Sequence, residues 1–163
     1  MFNSKKILFI CFKENSSSTL IENLINKSNI KKLFLENDFG KCKEQLLNLL
    51  IKEQFDYIFA FGWKPNIKQL FIEYQATDDE LKNKLNTNFN NVDNFLNHLQ
   101  LSNIKYRKSE NAGNYLCNFI YYQGLKYIKE NGRDDKMLFI HIPNIKNFVQ
   151  YENFKKFLND LIK

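Results

Sequence analysis

Ser109-Glu110-Asn111-Ala112-Gly113-Asn114-Tyr115-Leu116-Cys117-Asn118 reads as a loop that enters a helix, with a cysteine inside the opening turns. Further on, Phe139-Ile140-His141-Ile142-Pro143 reads as the end of a buried strand, with a histidine where strand gives way to loop. The positive end of a helix dipole favours a thiolate, so the sequence predicts a lowered thiol pKa at Cys117. A histidine at a strand end can meet that thiol and act as its base. On residue type alone each has a plainer reading. Cys117 also suits a small buried hydrophobe, and His141 a hydrogen-bonded core histidine.

Working outward, the pattern predicts a helix over 113–131, ended by Gly132, and a strand over 136–142. The first half of that helix is apolar on nearly every face, which implies burial on several sides or a contact with a second copy. Upstream, runs of Ile, Leu and Phe predict strands over 6–12, 32–36, 56–61, 67–75 and 104–108. Ser16, Ser17 and Ser18 are candidate N-caps for a helix carrying Leu20, Ile21, Leu24 and Ile25. A second helix opens after Gly40 and holds Leu46 to Ile51. Over 78–100, Leu81, Leu85, Phe89, Val92, Leu96 and Leu99 form a helical stripe, with a break expected in the Asn-rich run at 86–91. Tyr151, Phe154, Phe157, Leu158 and Leu161 predict a last amphipathic helix. Strands alternating with helices indicate an α/β fold, a three-layer α/β/α sandwich with a mostly parallel twisted sheet. Such sheets hold their sites outside the carboxyl ends of the strands, where Phe12, Gly62, Glu73 and His141 are expected.

Composition bounds the function. A chain of 163 residues with 44% apolar residues suits one domain, 1–163, with a substantial core. No apolar run is long enough to span a membrane, and the first apolar stretch lacks a cleavage site. The cysteines, Cys11, Cys42 and Cys117, have no framework or metal-ligand spacing, and His98 and His141 stand far apart. Free thiols in a reducing cytoplasm are the simplest reading, with no metal and no cofactor. The net charge of +6 is spread through the chain without a basic, aromatic-laced stripe, so nucleic acid is not an expected partner. The stretch 12–19 is rich in hydroxyls but has no glycine, which argues against a phosphate-binding loop.

Ala112-Gly113-Asn114-Tyr115-Leu116-Cys117-Asn118, followed by Tyr121 and Tyr122, resembles the nucleophile motif of the type I pyroglutamyl peptidases, a family of cysteine peptidases. Phe139-Ile140-His141-Ile142-Pro143 resembles that family's histidine motif. The family orients its histidine with a glutamate on the strand after a Gly-rich turn. Gly62 begins such a turn here, and Glu73 stands where the resemblance requires the glutamate. Read without the resemblance, Glu73 is a surface carboxylate at a strand edge. The family's opening Gly-Phe-x-x-Phe segment is matched at Phe12, whereas its glycine falls on Cys11 and its second phenylalanine on Asn15. The family's Gly-Gln-Ala-Gly-Gly turn is replaced by Gly62-Trp63-Lys64-Pro65-Asn66, which puts Trp63 where a glutamine helps to hold the lactam. The stretch between Glu73 and Cys117 is shortened and lacks the family's Asp-x-Arg-Ile-Pro-Asp-Asn segment.

The resemblance implies a thiol hydrolase with Cys117 as nucleophile, His141 as proton shuttle and Glu73 as its orienter. Phe12 and Trp63 would line the substrate pocket. The substrate would be a peptide with a blocked N-terminus, pyroglutamyl or related. Backbone N–H groups between Asn114 and Cys117 would receive the oxyanion. The family often assembles as homo-oligomers, and the apolar face of the 113–131 helix permits the same. The altered pocket keeps an alternative open: a catalytically silent or repurposed relative that binds a peptide or protein partner.

Overall fold

A computed structural model describes residues 2, 4–78, 80 and 82–163. Its main sheet has six strands in the order β2-β1-β3-β8-β4-β7. These are β1 (Ile7–Phe12), β2 (Ile30–Leu35), β3 (Tyr57–Trp63), β4 (Leu70–Glu73), β7 (Tyr106–Ser109) and β8 (Lys136–Ile142). A small hairpin, β5 (Gln75–Thr77) with β6 (Lys84–Asn86), stands apart. The helices are α1 (Ser16–Glu22), α2 (Phe39–Lys52), α3 (Val92–Leu101), α4 (Leu116–Glu130) and α5 (Tyr151–Leu161).

The strand sequences set their places. Every residue of β1 is buried, so it needs cover on both faces and lies inside the sheet. Alternate residues feed two cores. Ile7, Phe9, Phe59, Phe61, Leu138 and Ile140 face one side with α1, α3 and α5 residues. Leu8, Ile10, Ile58, Ala60, Met137 and Phe139 face the other with α2 and α4 residues. Each fully buried Phe, Leu or Ile contributes about 1.5–3 kcal/mol, so two full faces fix both the register and the three-layer arrangement.

The parallel part comprises β2, β1, β3 and β8. β4 runs antiparallel to β8, and β7 runs parallel to β4, so this pair is reversed against the rest. The reversal corrects one detail of the sequence reading. Glu73 is at the carboxyl end of its own strand, yet it pairs with Phe139, one step below His141 on the same sheet face.

Several boundaries also move. Asn15, not a serine, caps α1: its side chain accepts from Ser17 N–H at 2.8 Å, and Ser18 answers in a reciprocal capping box. Leu24 and Ile25 fall beyond that helix. Asp38 caps α2 ahead of Gly40, by accepting from Lys41 N–H. β3 continues through Gly62 to Trp63. The 67–75 stretch is divided between β4 and β5.

The largest correction concerns 78–100, where only Val92–Leu101 is helical. Leu81, part of the expected stripe, lies outside the described residues. Lys84–Asn86 pairs instead with β5. The Asn-rich run then turns its polar groups onto β8. The Thr87 hydroxyl donates to Met137 O at 2.7 Å, and Asn88 bridges Asp135 O and Met137 N–H. Side chains that satisfy another strand's backbone compete with helix formation. The 113–131 helix likewise begins at Leu116, and Gly132 follows it at φ 58°, a left-handed conformation that glycine adopts without a Cβ clash.

Candidate active site

The floor of the site is β8 and its two neighbours. His141 pairs with Gly62 on one side and with Phe71 on the other. Its Nδ1 lies 2.7 Å from Glu73 Oε1. Glu73 opposes Phe139, so this is a diagonal contact across the antiparallel pair on one sheet face, which long side chains bridge readily. With Glu73 ionised, its carboxylate can only accept, which places the proton on Nδ1 and leaves Nε2 as the ring's basic nitrogen. Both side chains are buried. The surface-carboxylate reading of Glu73 is therefore corrected. Its antiparallel strand carries it inward, where an unpaired charge would cost several kcal/mol and the imidazole supplies the partner. Glu73 Oε2 has no hydrogen-bond partner among the described residues.

Cys117 reaches this floor from the first turn of α4, and Gly62 makes the approach fit. A Cβ at residue 62 would stand 2.5 Å from Cys117 Sγ and 3.0 Å from the Phe139 ring. The sulfur thus occupies the space a side chain would take. Because Gly62 and His141 are register partners, their side-chain directions share a face, and that face carries the sulfur.

Three contacts missing from the sequence reading hold α4 in place. The Tyr121 hydroxyl, one turn beyond Cys117, donates to the Glu73 carbonyl at 2.9 Å. Asn118 accepts from Thr77 N–H at 2.9 Å and donates to Thr77 O at 2.9 Å, which clamps the helix start to β5. Both residues lie in or beside the quoted cysteine motif. Their roles depend on β4 and β5, which no local pattern connects to α4. The motif itself was the one signal that could have drawn attention to them.

The electrostatics overturn the expected low thiol pKa. Burial, then the Glu73 charge, pushes the Cys117 thiol up to about 12, against a lowering by Lys64. The helix terminus does not offset this: desolvation and a buried carboxylate both oppose the thiolate. Cys11 and Cys42 are fully buried, and burial raises their thiols to about 12 and about 11. All three cysteines are free.

No side chain caps the start of α4. Its first ladder bond runs from Phe119 N–H to the Tyr115 carbonyl, so the N–H groups of Leu116, Cys117 and Asn118 precede the ladder. Beside them opens a cleft of about 420 Å³, lined by Phe12, Asn15, Asn37, Trp63, Tyr115 and Cys117 among others. Phe12 and Trp63 thus stand together at one mouth, at the ends of β1 and β3. Phe12 is buried, whereas Trp63 is 40% exposed. Among the described residues, no group of three or more His, Cys, Asp or Glu side chains is placed to hold a metal ion, and His98 is exposed at the far end of α3.

A family model described as pyroglutamyl peptidase matches residues 86–155, the part that carries Cys117 and His141; Glu73 lies before it. No curated protein sequence matches the chain. Solved structures match over nearly its whole length. Pyrrolidone carboxyl peptidase from Thermococcus litoralis is 18% identical, with a TM-score of 0.82, over 95% of this chain and 90% of that one. The Thermus thermophilus enzyme is 20% identical, with a TM-score of 0.80, over 94% and 96%. A variant of the Pyrococcus furiosus enzyme is 20% identical, with a TM-score of 0.80, over 93% of each chain. The chain thus has the fold of the pyrrolidone carboxyl peptidases, and its segment from the cysteine helix to the histidine strand is similar to the pyroglutamyl peptidase family.

Proposed function

We propose that the chain is a cysteine peptidase that removes an N-terminal pyroglutamyl or related blocked residue from peptides, with Cys117, His141 and Glu73 as its catalytic groups. The observation that carries this reading is the juxtaposition at Gly62: Cys117 Sγ fills the space above it, and its strand partner His141 is held by a buried carboxylate. A nucleophile, a base and an orienting group in that order is the arrangement thiol acyl transfer needs.

The raised thiol pKa sets the sequence of events. The resting thiol is neutral at physiological pH, so the proton leaves as the substrate carbonyl is attacked. The Sγ–carbon bond forms while the Sγ proton passes to His141 Nε2, and Glu73 stabilises the resulting imidazolium. N–H groups at the start of α4 face the oxyanion. The tetrahedral centre collapses, the carbon–nitrogen bond breaks, and His141 returns its proton to the leaving amine. Water, deprotonated by His141, then attacks the thioester. The acid leaves, and the proton returns to the sulfur.

Phe12 and Trp63 are the proposed walls of the acyl pocket. Phe39 and Tyr115 are 43% and 64% exposed and meet edge to face at 5.5 Å. This aromatic surface beside α4 supports self-association as a homo-oligomer. Free thiols support a reducing, cytoplasmic setting. No helix among the described residues is long and apolar enough to cross a membrane.

The test is release of a fluorogenic amine from a pyroglutamyl amide by the purified protein beside its Cys117→Ala variant. Release that disappears in the variant is the expected result. No release by a folded wild-type protein, across pyroglutamyl and other N-blocked amides, removes the peptidase reading.

A further inference from the structure

Lys64 opens the loop after β3, and its N–H donates to the carbonyl of Ile142, the residue after His141, at 3.0 Å. Its ammonium lies 5.0 Å from the centre of the Phe71 ring. Phe71 is on β4, and β8 runs between β3 and β4. The Lys64 side chain therefore crosses the end of the strand that carries His141. Arg107 reaches the same ring from the opposite side, with its guanidinium carbon 5.5 Å from the ring centre, because β7 pairs Arg107 with Phe71. Two cations thus converge on the aromatic neighbour of His141. Neither makes an ion pair among the described residues. Ring faces attract each cation, yet the two repel one another, and an incoming anion relieves that repulsion.

The position of this pair relative to the cleft gives it a role. Phe12, Trp63 and Tyr115 line the acyl cleft on the β1 and β3 side of Cys117. Phe71 and Arg107 stand on the β4 and β7 side of His141. An amide bond over Cys117, with its acyl part in the cleft, sends its leaving amine towards the two cations. We propose that Lys64 and Arg107 receive the free carboxylate of the leaving group, so that the preferred substrates are short N-blocked peptides ending one or two residues beyond the scissile bond. The substrate class rests on the acyl-transfer reading above; the anion site does not. Lys64 also lies within electrostatic reach of the reacting sulfur, since it lowers the Cys117 thiol pKa against burial and Glu73. Neither Lys64 nor Arg107 belongs to the proposed proton relay.

The first test needs no substrate. Cys117 is alkylated with anionic iodoacetate and with neutral iodoacetamide at one mildly alkaline pH, and the adduct is followed by peptide mass spectrometry. The ratio of the two rates cancels the thiolate fraction. Relative to wild type, it should fall about threefold or more in Lys64→Gln and in Arg107→Gln, persist in Lys64→Arg, and shrink with added salt. A ratio unmoved by both neutral substitutions and by salt overturns the proposal, as does a thiol that neither reagent reaches. The second test compares kcat/KM for an N-blocked dipeptide with a free carboxylate against its C-terminal amide. About a tenfold preference for the free acid, lost in Lys64→Gln and kept in Lys64→Arg, is expected. Equal turnover of acid and amide overturns the assignment of the leaving-group carboxylate. A falling alkylation ratio with no cleavage of any blocked substrate removes the peptidase reading alone and upholds the anion site.

Discussion

On the sheet side of Cys117, His141 and Glu73 are buried, joined at 2.7 Å, and braced through Tyr121 by the helix that bears the cysteine. On the cleft side, Trp63 and Tyr115 are large aromatics left 40% and 64% exposed, on a strand end and a loop. The contrast separates two demands. A proton relay tolerates little displacement, and the groups proposed for it, His141 and Glu73, stand buried on paired strands. On the open side, Trp63 and Tyr115 can be exchanged without unpacking a core, whereas Phe12, the other proposed pocket wall, belongs to one. The proposed catalytic groups thus lie on the buried side, and the turn after Gly62, which departs from the motif it resembles, lies on the open side.

The largest effect is expected at Glu73. Glu73→Gln keeps the volume and removes the charge that orients His141, and kcat should fall about 10³-fold or more with the fold retained. A loss below tenfold in a folded variant would show that the buried side does not set the chemistry. Gly62→Ala tests the packing itself. A methyl group 2.5 Å from Cys117 Sγ must displace the sulfur, so kcat should fall about 100-fold. The overpacked site should also lose about 1–3 kcal/mol of stability, read by chemical denaturation.

The pH dependence follows from the desolvation of the thiols. The Cys117 thiol is raised from the ordinary 9.0 to about 12, so the neutral form persists through the neutral range. Its alkylation rate should climb about tenfold per pH unit from pH 7 to 9, following the thiolate fraction. A plateau near pH 7 would restore the low-pKa cysteine expected from the helix terminus. The sign for folding is the same. Stability from keeping these thiols neutral is present below pH 9 and is lost as pH rises towards 11 to 12, with Cys11 and Cys42 contributing alongside Cys117. The smallest effect is expected on the open side. Trp63→Gln supplies a polar partner and frees volume, so the pyroglutamyl amide should gain about tenfold in kcat/KM over its cyclopentane-carbonyl analogue, which has no lactam edge. An unchanged ratio would place the selecting group elsewhere in the cleft.

How far each part was legible follows from what creates it. The strands β1 and β8 could be read almost residue for residue, because burial on both faces demands an unbroken apolar run. The 78–100 stretch could not. Its apolar spacing fits a helix, but pairing with β5 and the Thr87 and Asn88 bonds to β8 outweigh a weak local preference. Cys117 and His141 stood out through their motifs, and Glu73 only through a likeness, since a carboxylate after Leu70-Phe71-Ile72 looks the same at an exposed edge or a buried one.

Local patterning dictates the alternation of strands and helices, the helix that bears Cys117, the strand that carries His141 and the unusual turn after Gly62. Each is written in residues that are neighbours along the chain. The folded chain adds what no local pattern holds: β4 runs against β8 and so buries Glu73 beneath His141, Gly62 leaves space for a sulfur, burial raises the thiol that the helix terminus was expected to activate, and Lys64 and Arg107 meet over Phe71. These depend on strand direction and on desolvation, which arise between segments far apart in sequence and are set by the packing of the whole sheet.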